Sequence, residues 1–223
     1  QLKKGEILGI AGMLGSGRTE LLKSIFGADP FDSGEIYING QRIFSPSPVK
    51  MKKAGLAMTS EDRKREGLNQ IASIKDNLCV ASLDLIAKGP FIKKHKEDEF
   101  AQRQVNELNI KVSDVRDSVS SLSGGNQQKV VVGNWLNTNP KVIFFDEPSR
   151  GIDVKAKQQI FQIIWEQSRK GVSSIMVSSE LEELLEVCHR ILIMREGLIV
   201  GEIKPEEVKI EELYSLCMGG EKN

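Results

Sequence analysis

The chain alternates short apolar runs with helix-like stretches, and this alternation constrains its fold more than any other feature. The runs at residues 6–11, 142–145 and 172–177 have the length of buried strands, and a helical pattern occupies residues 154–169. A parallel sheet requires such alternation, because each strand returns through a helix that covers the sheet. The sequence therefore predicts an α/β fold with a mainly parallel sheet.

The balance of positive and negative charges argues against a partner that would need a strongly basic surface. The 31 Lys and Arg residues offset 31 Asp and Glu residues, so the formal net charge is zero. Binding to a phosphate backbone requires a basic surface, so we expect no nucleic-acid partner. The 3 Cys residues are scattered without metal-ligand spacing, which predicts neither a disulfide framework nor a zinc site.

Two further segments complete the predicted organisation. Residues 34–44 contain the Asn39-Gly40 dipeptide between two short strand patterns, which is typical of a β-hairpin. From about residue 71 to residue 123 the strand signal disappears, and we expect an all-helical insertion.

A glycine-rich segment, GMLGSGRT at residues 12–19, follows the first strand and leads into a helix pattern. Glycines let successive backbone N–H groups point at a phosphate, and the helix N-terminus adds a favourable dipole. The pattern G-x-x-x-x-G-K-[ST] is met except at the Lys position, where Arg18 stands. Thr19 would hold Mg²⁺ through its hydroxyl. Taken alone, the segment is equally compatible with a tight strand-to-helix connection.

Two carboxylates end the buried strand at residues 142–145. In α/β sheets, ligands bind beyond the carboxyl ends of the strands. Asp146 therefore lies where Mg²⁺ could be held, and Glu147 lies where a water could be polarised. The alternative is an ordinary charged turn. The glycine-rich segment at residues 12–19, called the phosphate loop below, makes this alternative less favoured.

The segment LSGGNQQKVVVGNWL at residues 122–136 predicts a helix N-terminus suited to an anion. Ser123 is expected at the N-cap, and Gly124 and Gly125 leave backbone N–H groups accessible. A capped helix with a flexible lead-in would explain the serine but not the paired glycine.

Taken in order, these motifs resemble the nucleotide-binding domain of an ABC transporter. The similarity is closest to the second of two fused domains in the ATP-binding subunit of bacterial ribose, galactose and simple-sugar importers. It extends to TSEDRKREGL at 59–68, FFDEPSRGIDV at 144–154 and VSSELEELLEVCHRILIMREG at 177–197. The resemblance implies a P-loop NTPase (RecA-like) core with an antiparallel β-subdomain at 1–70 and 126–223, and an inserted helical subdomain at 71–125.

The resemblance also implies residue roles, with each ATP held between the phosphate loop of one domain and the signature of the other. The phosphate-binding residues would be Gly12, Gly15, Ser16, Gly17, Arg18 and Thr19. Thr19 and Asp146 would hold the metal, and Glu147 would be the general base. The signature residues would be Leu122, Ser123, Gly124, Gly125, Asn126 and Gln127. The loop at the dimer interface would be Gly151, Ile152 and Asp153, and a local alternative for Asp153 is a helix cap.

Three positions depart from the family pattern. Arg18 replaces the Lys, Glu61 replaces a Gln that touches the metal and links to the membrane subunit, and Ser179 replaces a His that senses the γ-phosphate. Locally, Ser179 and Glu182 also fit a capping box. We group Glu61 and Ser179 with Glu147 as catalytic candidates. The departures predict slow or absent hydrolysis at this domain's own phosphate loop, while its signature completes the partner's site.

The expected function is import of a sugar driven by ATP and Mg²⁺. The expected partners are a second nucleotide-binding domain in the same chain, membrane permease subunits and, indirectly, an extracytoplasmic solute-binding protein. We expect a peripheral location at the cytoplasmic face of the membrane. A non-hydrolysing regulatory nucleotide-binding module and a non-transport ABC ATPase are the alternatives. Because a strand begins near Gln1 without an initiator Met, we expect an N-terminal truncation from a longer two-domain chain.

Overall fold

The structure is a computed structural model that describes residues 1–220. Its strands are β1 (Ile7–Ala11), β2 (Ile36–Ile38), β3 (Gln41–Ile43), β4 (Leu56–Thr59), β5 (Ala87–Lys88), β6 (Phe91–Ile92), β7 (Val142–Asp146), β8 (Ser173–Val177), β9 (Arg190–Arg195) and β10 (Leu198–Ile203). Its α-helices are α1 (Arg18–Phe26), α2 (Pro48–Lys53), α3 (Ile74–Cys79), α4 (Leu83–Ile86), α5 (Lys94–Glu107), α6 (Gly124–Leu136), α7 (Val154–Arg169), α8 (Leu181–Val187) and α9 (Ile210–Met218). Among the helices of residues 1–220, none combines the length and apolar character that crossing a bilayer would need.

The chain forms two compact units. The first comprises residues 1–58, 141–147 and those from 165 onward, and the second comprises residues 59–140 and 148–164. The expected division into a core at 1–70 and 126–223 and a helical subdomain at 71–125 stays a prediction.

A six-stranded sheet forms the core of the first unit, in the order β10-β9-β1-β8-β7-β4. The strands β9, β1, β8 and β7 pair in parallel, and β10 returns antiparallel to β9. The central strands are apolar because they are buried, as Ile7, Phe144 and Phe145 show with at most 2% exposure. The predicted α/β class with a mainly parallel sheet is confirmed.

The predicted hairpin at residues 34–44 is present as the antiparallel pair β2 and β3. Asn39 and Gly40 connect the strands with φ angles of 51° and 77°. Positive φ at both central residues is what a tight primed turn requires, so the dipeptide predicted this element correctly.

The second unit is mainly helical and is built around α3, α5 and α6. Ile74, Leu78 and Val130 are fully buried in it, and α6 approaches α3 closely at Gly133, where a Cβ would lie 3.0 Å from the Leu78 side chain. The prediction of an all-helical insertion is wrong at one place, because β5 and β6 form a small antiparallel hairpin. Strands of two residues are too short to show an alternating pattern.

Candidate functional site

Three strand ends meet at one edge of the sheet in the first unit. Ile10 lies opposite Val177 in the pairing of β1 and β8, and Val177 lies opposite Asp146 in the pairing of β8 and β7. Because the strands are parallel, their carboxyl ends lie at the same edge. The phosphate loop, the acidic strand end and the segment after residue 177 therefore leave the sheet together.

The phosphate loop has the conformation that its glycines allow. Gly15 and Gly17 have φ angles of 80° and 95°, and a Cβ on Gly12 would lie 2.4 Å from a carbonyl oxygen of β9. The helix α1 begins at Arg18 without a side-chain cap, so its first amides have no partner inside the helix. The buried hydroxyl of Ser16 has no hydrogen-bond partner within residues 1–220. Unsatisfied donors at a helix N-terminus suit a phosphate.

The Arg18 side chain is buried, with only 7% of the residue exposed. Its Nη1 donates a hydrogen bond to the carbonyl oxygen of Ser178 at 2.7 Å, so one of its five donors is held by the backbone that follows β8. Burial raises the pKa of Glu147, and the Arg18 charge acts in the opposite direction. The guanidinium is thus anchored to the protein and electrostatically coupled to the predicted general base.

Thr19 and Asp146 form a polar pair at the same edge of the sheet. Thr19 Oγ1 donates to Asp146 Oδ1 at 3.1 Å, and Asp146 is fully buried. Mg²⁺ prefers oxygen ligands and usually takes one or two from the protein, with the rest from phosphates and water. In residues 1–220, no three His, Cys, Asp or Glu side chains could enclose a metal by themselves. The pair therefore fits a Mg²⁺ that arrives with a phosphate-bearing ligand.

Glu147 has a constrained geometry. Its φ of 49° is unusual for a residue with a side chain, and its N–H donates to the Val177 carbonyl oxygen at 3.0 Å. Ser179 Oγ donates to Glu147 Oε2 at 3.1 Å. Burial raises the pKa of the Glu147 carboxyl, and the hydrogen bonds from Ser179 lower it. A raised pKa suits a group that must accept a proton.

The helix α8 does not begin with the predicted capping box. Its N-cap is Glu180, whose side chain makes no capping bond. The hydroxyl of Ser178 accepts a hydrogen bond from the Glu180 N–H at 3.1 Å and donates to Glu183 at 2.8 Å. The capping-box interpretation of Ser179 is therefore wrong, since the neighbouring serine bonds the helix start and Ser179 bonds Glu147 instead.

In the second unit, the signature segment leads into α6, which begins at Gly124. Ser123 occupies the N-cap as predicted but makes no capping bond, and its hydroxyl accepts a hydrogen bond from Asn126 Nδ2 at 3.2 Å. Asn126 Oδ1 in turn accepts from the Lys111 N–H at 3.1 Å. Leu122 is half-buried and Ser123 is exposed, so the lead-in to α6 lies at the surface.

The first turn of α6 is packed tightly. A Cβ on Gly125 would lie 2.4 Å from the Cβ of Ala156 in α7, so the two helices touch at this glycine. The buried side chain of Gln127 donates to the Val119 carbonyl oxygen at 3.3 Å. These contacts hold the signature in place within the second unit.

The interface loop lies at the start of α7. Asp153 Oδ1 accepts from the Ala156 N–H at 2.9 Å, so the alternative of a helix cap is confirmed. Gly151 has a φ of 67°, and the half-buried Ile152 follows it. The family role of this loop at a dimer interface stays a prediction.

Sequence reasoning missed the contacts of the charged run at residues 61–66. Glu61 forms an ion pair with Arg150, and Arg63 donates to the carbonyl oxygens of Arg150 and Gly151 at 2.6 and 3.0 Å. The only available signal was high charge density, which is equally typical of a solvated loop.

Comparison with known proteins places these features in a family context. The sequence profile described as "ABC transporter" matches residues 1–150. The chain is 44% identical over 221 residues to "Ribose import ATP-binding protein RbsA" of Bacillus cereus, with 99% of this chain and 45% of that protein covered. It is 45% identical over 219 residues to "Xylose import ATP-binding protein XylG" of Thermoanaerobacter pseudethanolicus, with 98% and 43% covered. The chain therefore spans less than half the length of these curated relatives.

Solved structures share the fold. The ATP-binding cassette MJ1267 superimposes with a TM-score of 0.78 at 26% identity, covering 97% of this chain and 85% of that one. The dimeric cassette MJ0796, in a post-hydrolysis state bound to ADP and Pi, gives a TM-score of 0.77 at 22% identity, covering 92% and 88%. The predicted P-loop NTPase fold is confirmed. Since the family profile covers residues 1–150 of the 223, this chain belongs to the ABC transporter family.

Proposed function

We propose that this chain is an ATP-binding and ATP-hydrolysing domain of a sugar importer. The observation that carries the proposal is the alignment, at one sheet edge, of the phosphate loop, the Thr19–Asp146 pair and Glu147. Phosphoryl transfer to water needs a phosphate cradle, a metal site and a group that orients the water. Each of these three needs has a matching group at this edge.

The roles follow from the chemistry of each group. The unpartnered amides at the start of α1 and the Ser16 hydroxyl would bind the phosphates of ATP. Thr19 and Asp146 would hold Mg²⁺, which when bound neutralises negative charge on the phosphate oxygens. Glu147 would accept a proton from the attacking water, and the hydrogen bond from Ser179 would orient its carboxylate.

In our proposal, hydrolysis at this phosphate loop is slow. Two of the residues that depart from the family pattern, Arg18 and Ser179, are hydrogen-bonded to other groups of the protein. Arg18 donates to the Ser178 carbonyl oxygen, and Ser179 donates to Glu147. A planar guanidinium tethered in this way does not reproduce the mobile ammonium of a Lys. The retained Glu147 supports slow hydrolysis over none.

A non-hydrolysing regulatory domain is the second candidate, and the Arg18 bond is the observation that favours it. A non-transport ABC ATPase acting on nucleic acid is disfavoured by the formal net charge of zero.

The transport role is supported by the relatives, which are named as ribose and xylose import ATP-binding proteins. Since the chain matches 45% of the first relative's length, we propose that a second nucleotide-binding domain occupies the same protein. The partners would be membrane permease subunits at the cytoplasmic face and, indirectly, an extracytoplasmic solute-binding protein. The signature residues Leu122, Ser123, Gly124, Gly125, Asn126 and Gln127 would close over the ATP of the second domain, and Gly151, Ile152 and Asp153 would contact that domain.

The test uses the complete ATP-binding protein assembled with its permease. In a background where the general-base Glu of the second domain is replaced by Gln, hydrolysis reports on this chain's own phosphate loop. We expect slow release of phosphate in a single turnover, no release after Glu147→Gln, and a modestly faster rate after Arg18→Lys. Glu20→Gln is the control, since it removes an exposed carboxylate from the first turn of α1.

The outcomes separate the candidates. Rapid turnover in this background would refute the slow site. Tight ATP binding with no hydrolysis would favour the regulatory role. Failure of the complete transporter to move ribose, xylose or another sugar into vesicles would refute the transport function.

A further inference from the structure

Arg63 joins two segments of the second unit. Its Nη1 donates to the carbonyl oxygen of Arg150 at 2.6 Å, and its Nη2 donates to the carbonyl oxygen of Gly151 at 3.0 Å. The same Nη2 lies 2.8 Å from where a Cβ on Gly124 would stand, and the Gly151 carbonyl oxygen lies 3.1 Å from that point. One planar guanidinium thus touches both the loop before α7 and the first residue of α6.

The segment that contains Arg63 is fixed in position by contacts at both of its ends. Residues Arg63–Gly67 form a single π-helical turn, and Asp62 caps it by accepting hydrogen bonds from the Lys64 and Arg65 N–H groups at 3.0 and 3.2 Å. At the other end, a Cβ on Gly67 would lie 3.2 Å from the Val131 side chain of α6. The turn is therefore fixed at its start by a cap and at its end by α6.

The environment of the Arg63 head group separates it from an ordinary surface arginine. Its Nε is buried with no hydrogen-bond partner within residues 1–220. Burial lowers the pKa of Arg63, and the nearby Asp62 charge acts in the opposite direction. Both carbonyl contacts come from a charged donor, and such hydrogen bonds are stronger than neutral ones, so they define the position of the loop.

The neighbouring ion pair contributes less to this arrangement. The side chains of Glu61 and Arg150 are 41% and 60% exposed, and water and salt screen a pair of this kind. It also joins two flexible side chains, whereas Arg63 holds the backbone of the loop itself. The position of the loop therefore depends on Arg63 more than on the ion pair.

We infer that Arg63 is a positioning residue that holds residues 150–153 in a fixed arrangement with the start of α6, so that both segments meet the ATP of the opposing domain as one surface. This inference rests on the proposed function, because the opposing domain and its nucleotide enter only through it. A guanidinium suits this arrangement, since its rigid planar fork presents a separate nitrogen to each carbonyl oxygen, whereas the donors of a Lys ammonium share one nitrogen on a flexible stem.

The test again uses the complete transporter, with this chain's own site disabled by Glu147→Gln, so that hydrolysis reports on the second domain's phosphate loop closed by this signature. Arg63→Ala should lower the kcat of that site by about ten- to a hundredfold, as expected when catalytic groups shift by about 1 Å. The KM for ATP should change much less than the kcat, because the phosphate loop and the metal site belong to the second domain. Arg63→Lys should lose as much as Arg63→Ala. Arg65→Ala, which removes the same charge from the same turn, should keep the parent rate.

Each outcome decides the matter. If Arg63→Lys hydrolysed ATP at the parent rate, the inference would be overturned, because a positive charge alone would then suffice. Equal rates for Arg63→Ala and Arg65→Ala would also overturn it. If Arg63→Ala does not fold, Arg63→Lys carries the test alone. Amide hydrogen exchange at residues 149–153 should be faster in either Arg63 variant, and unchanged exchange would also overturn the inference. If the complete transporter without any substitution does not hydrolyse ATP, the proposed function fails. The hydrogen-exchange measurement still decides whether Arg63 positions the loop.

Discussion

Replacing Thr19 by Val removes a single hydrogen-bond donor from a fully buried carboxylate. Thr19 Oγ1 donates to Asp146 Oδ1 at 3.1 Å, and Asp146 has 0% exposure. Val keeps the shape of Thr but cannot donate. Because a hydrogen bond to a charged group contributes about 1.5–3 kcal/mol, the free energy of unfolding without nucleotide should fall by about that amount.

The same substitution should weaken the response to Mg²⁺. A ligand present at one hundred times its Kd stabilises the folded state by about 2.7 kcal/mol. In the parent chain, adding Mg²⁺ to ATP should increase this stabilisation, because in our proposal Thr19 and Asp146 both contribute oxygen ligands. In Thr19→Val the added Mg²⁺ should increase it much less, since one ligand is missing.

Urea denaturation followed by tryptophan fluorescence can measure both effects. The chain has 2 Trp residues, and Trp165 lies in the same compact unit as Thr19, with its Nε1 donating to the Val187 carbonyl oxygen at 3.3 Å. A Trp135→Phe background therefore leaves one probe that reports on the unit containing the site. Midpoints would be compared without ligand, with ATP, and with ATP and Mg²⁺.

Thr19→Ser is the matched control because it keeps the hydroxyl. It removes one half-buried methyl, so its stability should fall by less than about 0.8 kcal/mol, and its response to Mg²⁺ should persist. A Thr19→Val chain as stable as the parent, with full stabilisation by Mg²⁺, would refute the assignment of the pair as a metal site.

Two further predictions concern Glu147 and Gly125. Burial raises the pKa of Glu147 in the folded state above its usual 4.5. Above this raised pKa the buried carboxylate is ionised and lowers the free energy of unfolding. Below the pKa of the unfolded state the carboxyl is protonated in both states, and this destabilisation is absent. Glu147→Gln should therefore stabilise the chain at neutral pH, and this gain in urea midpoint should vanish below pH 4.5; a gain that persists there would contradict the burial argument. A Cβ on Gly125 would lie 2.4 Å from the Ala156 Cβ, so Gly125→Ala should cost about 1–3 kcal/mol by overpacking. Adding Ala156→Gly should restore the denaturation midpoint, and failure to do so would show that this contact is not the cause.

Local patterns predicted the elements whose structure depends on local chemistry. The strands β1, β7 and β8 are buried in the sheet, so their side chains are apolar and visible as runs. The hairpin of β2 and β3 was visible because Asn39 and Gly40 adopt positive φ angles that few residues accept. The phosphate loop was visible for the same reason, through its glycines.

Long-range polar contacts were not visible in the sequence. Arg18 and Ser178 are 160 residues apart in the chain, and Arg63 and Gly151 are 88 residues apart. No periodic pattern joins such pairs, because their contact depends on the tertiary arrangement of distant segments. The capping box failed for a related reason: Ser179 bonds Glu147, which lies 32 residues away in the chain, and Ser178 bonds the Glu180 N–H instead.

The three departures from the family pattern can now be weighed as physical replacements. A polar side chain that has merely lost its role tends to remain solvated, or to leave a buried group unsatisfied at a cost in stability. Here Arg18 is buried and bonded to the Ser178 carbonyl oxygen, Ser179 is bonded to Glu147, and Glu61 is paired with Arg150. Each substitute has gained a specific partner, and two of the three act on the predicted general base by hydrogen bond or by charge. This favours a site adapted to slow, controlled turnover over one eroded by neutral drift. Arg18→Lys alone would replace the guanidinium but keep the Ser179–Glu147 hydrogen bond, so it should raise the rate of ATP hydrolysis only modestly, and fast hydrolysis should require Ser179→His as well.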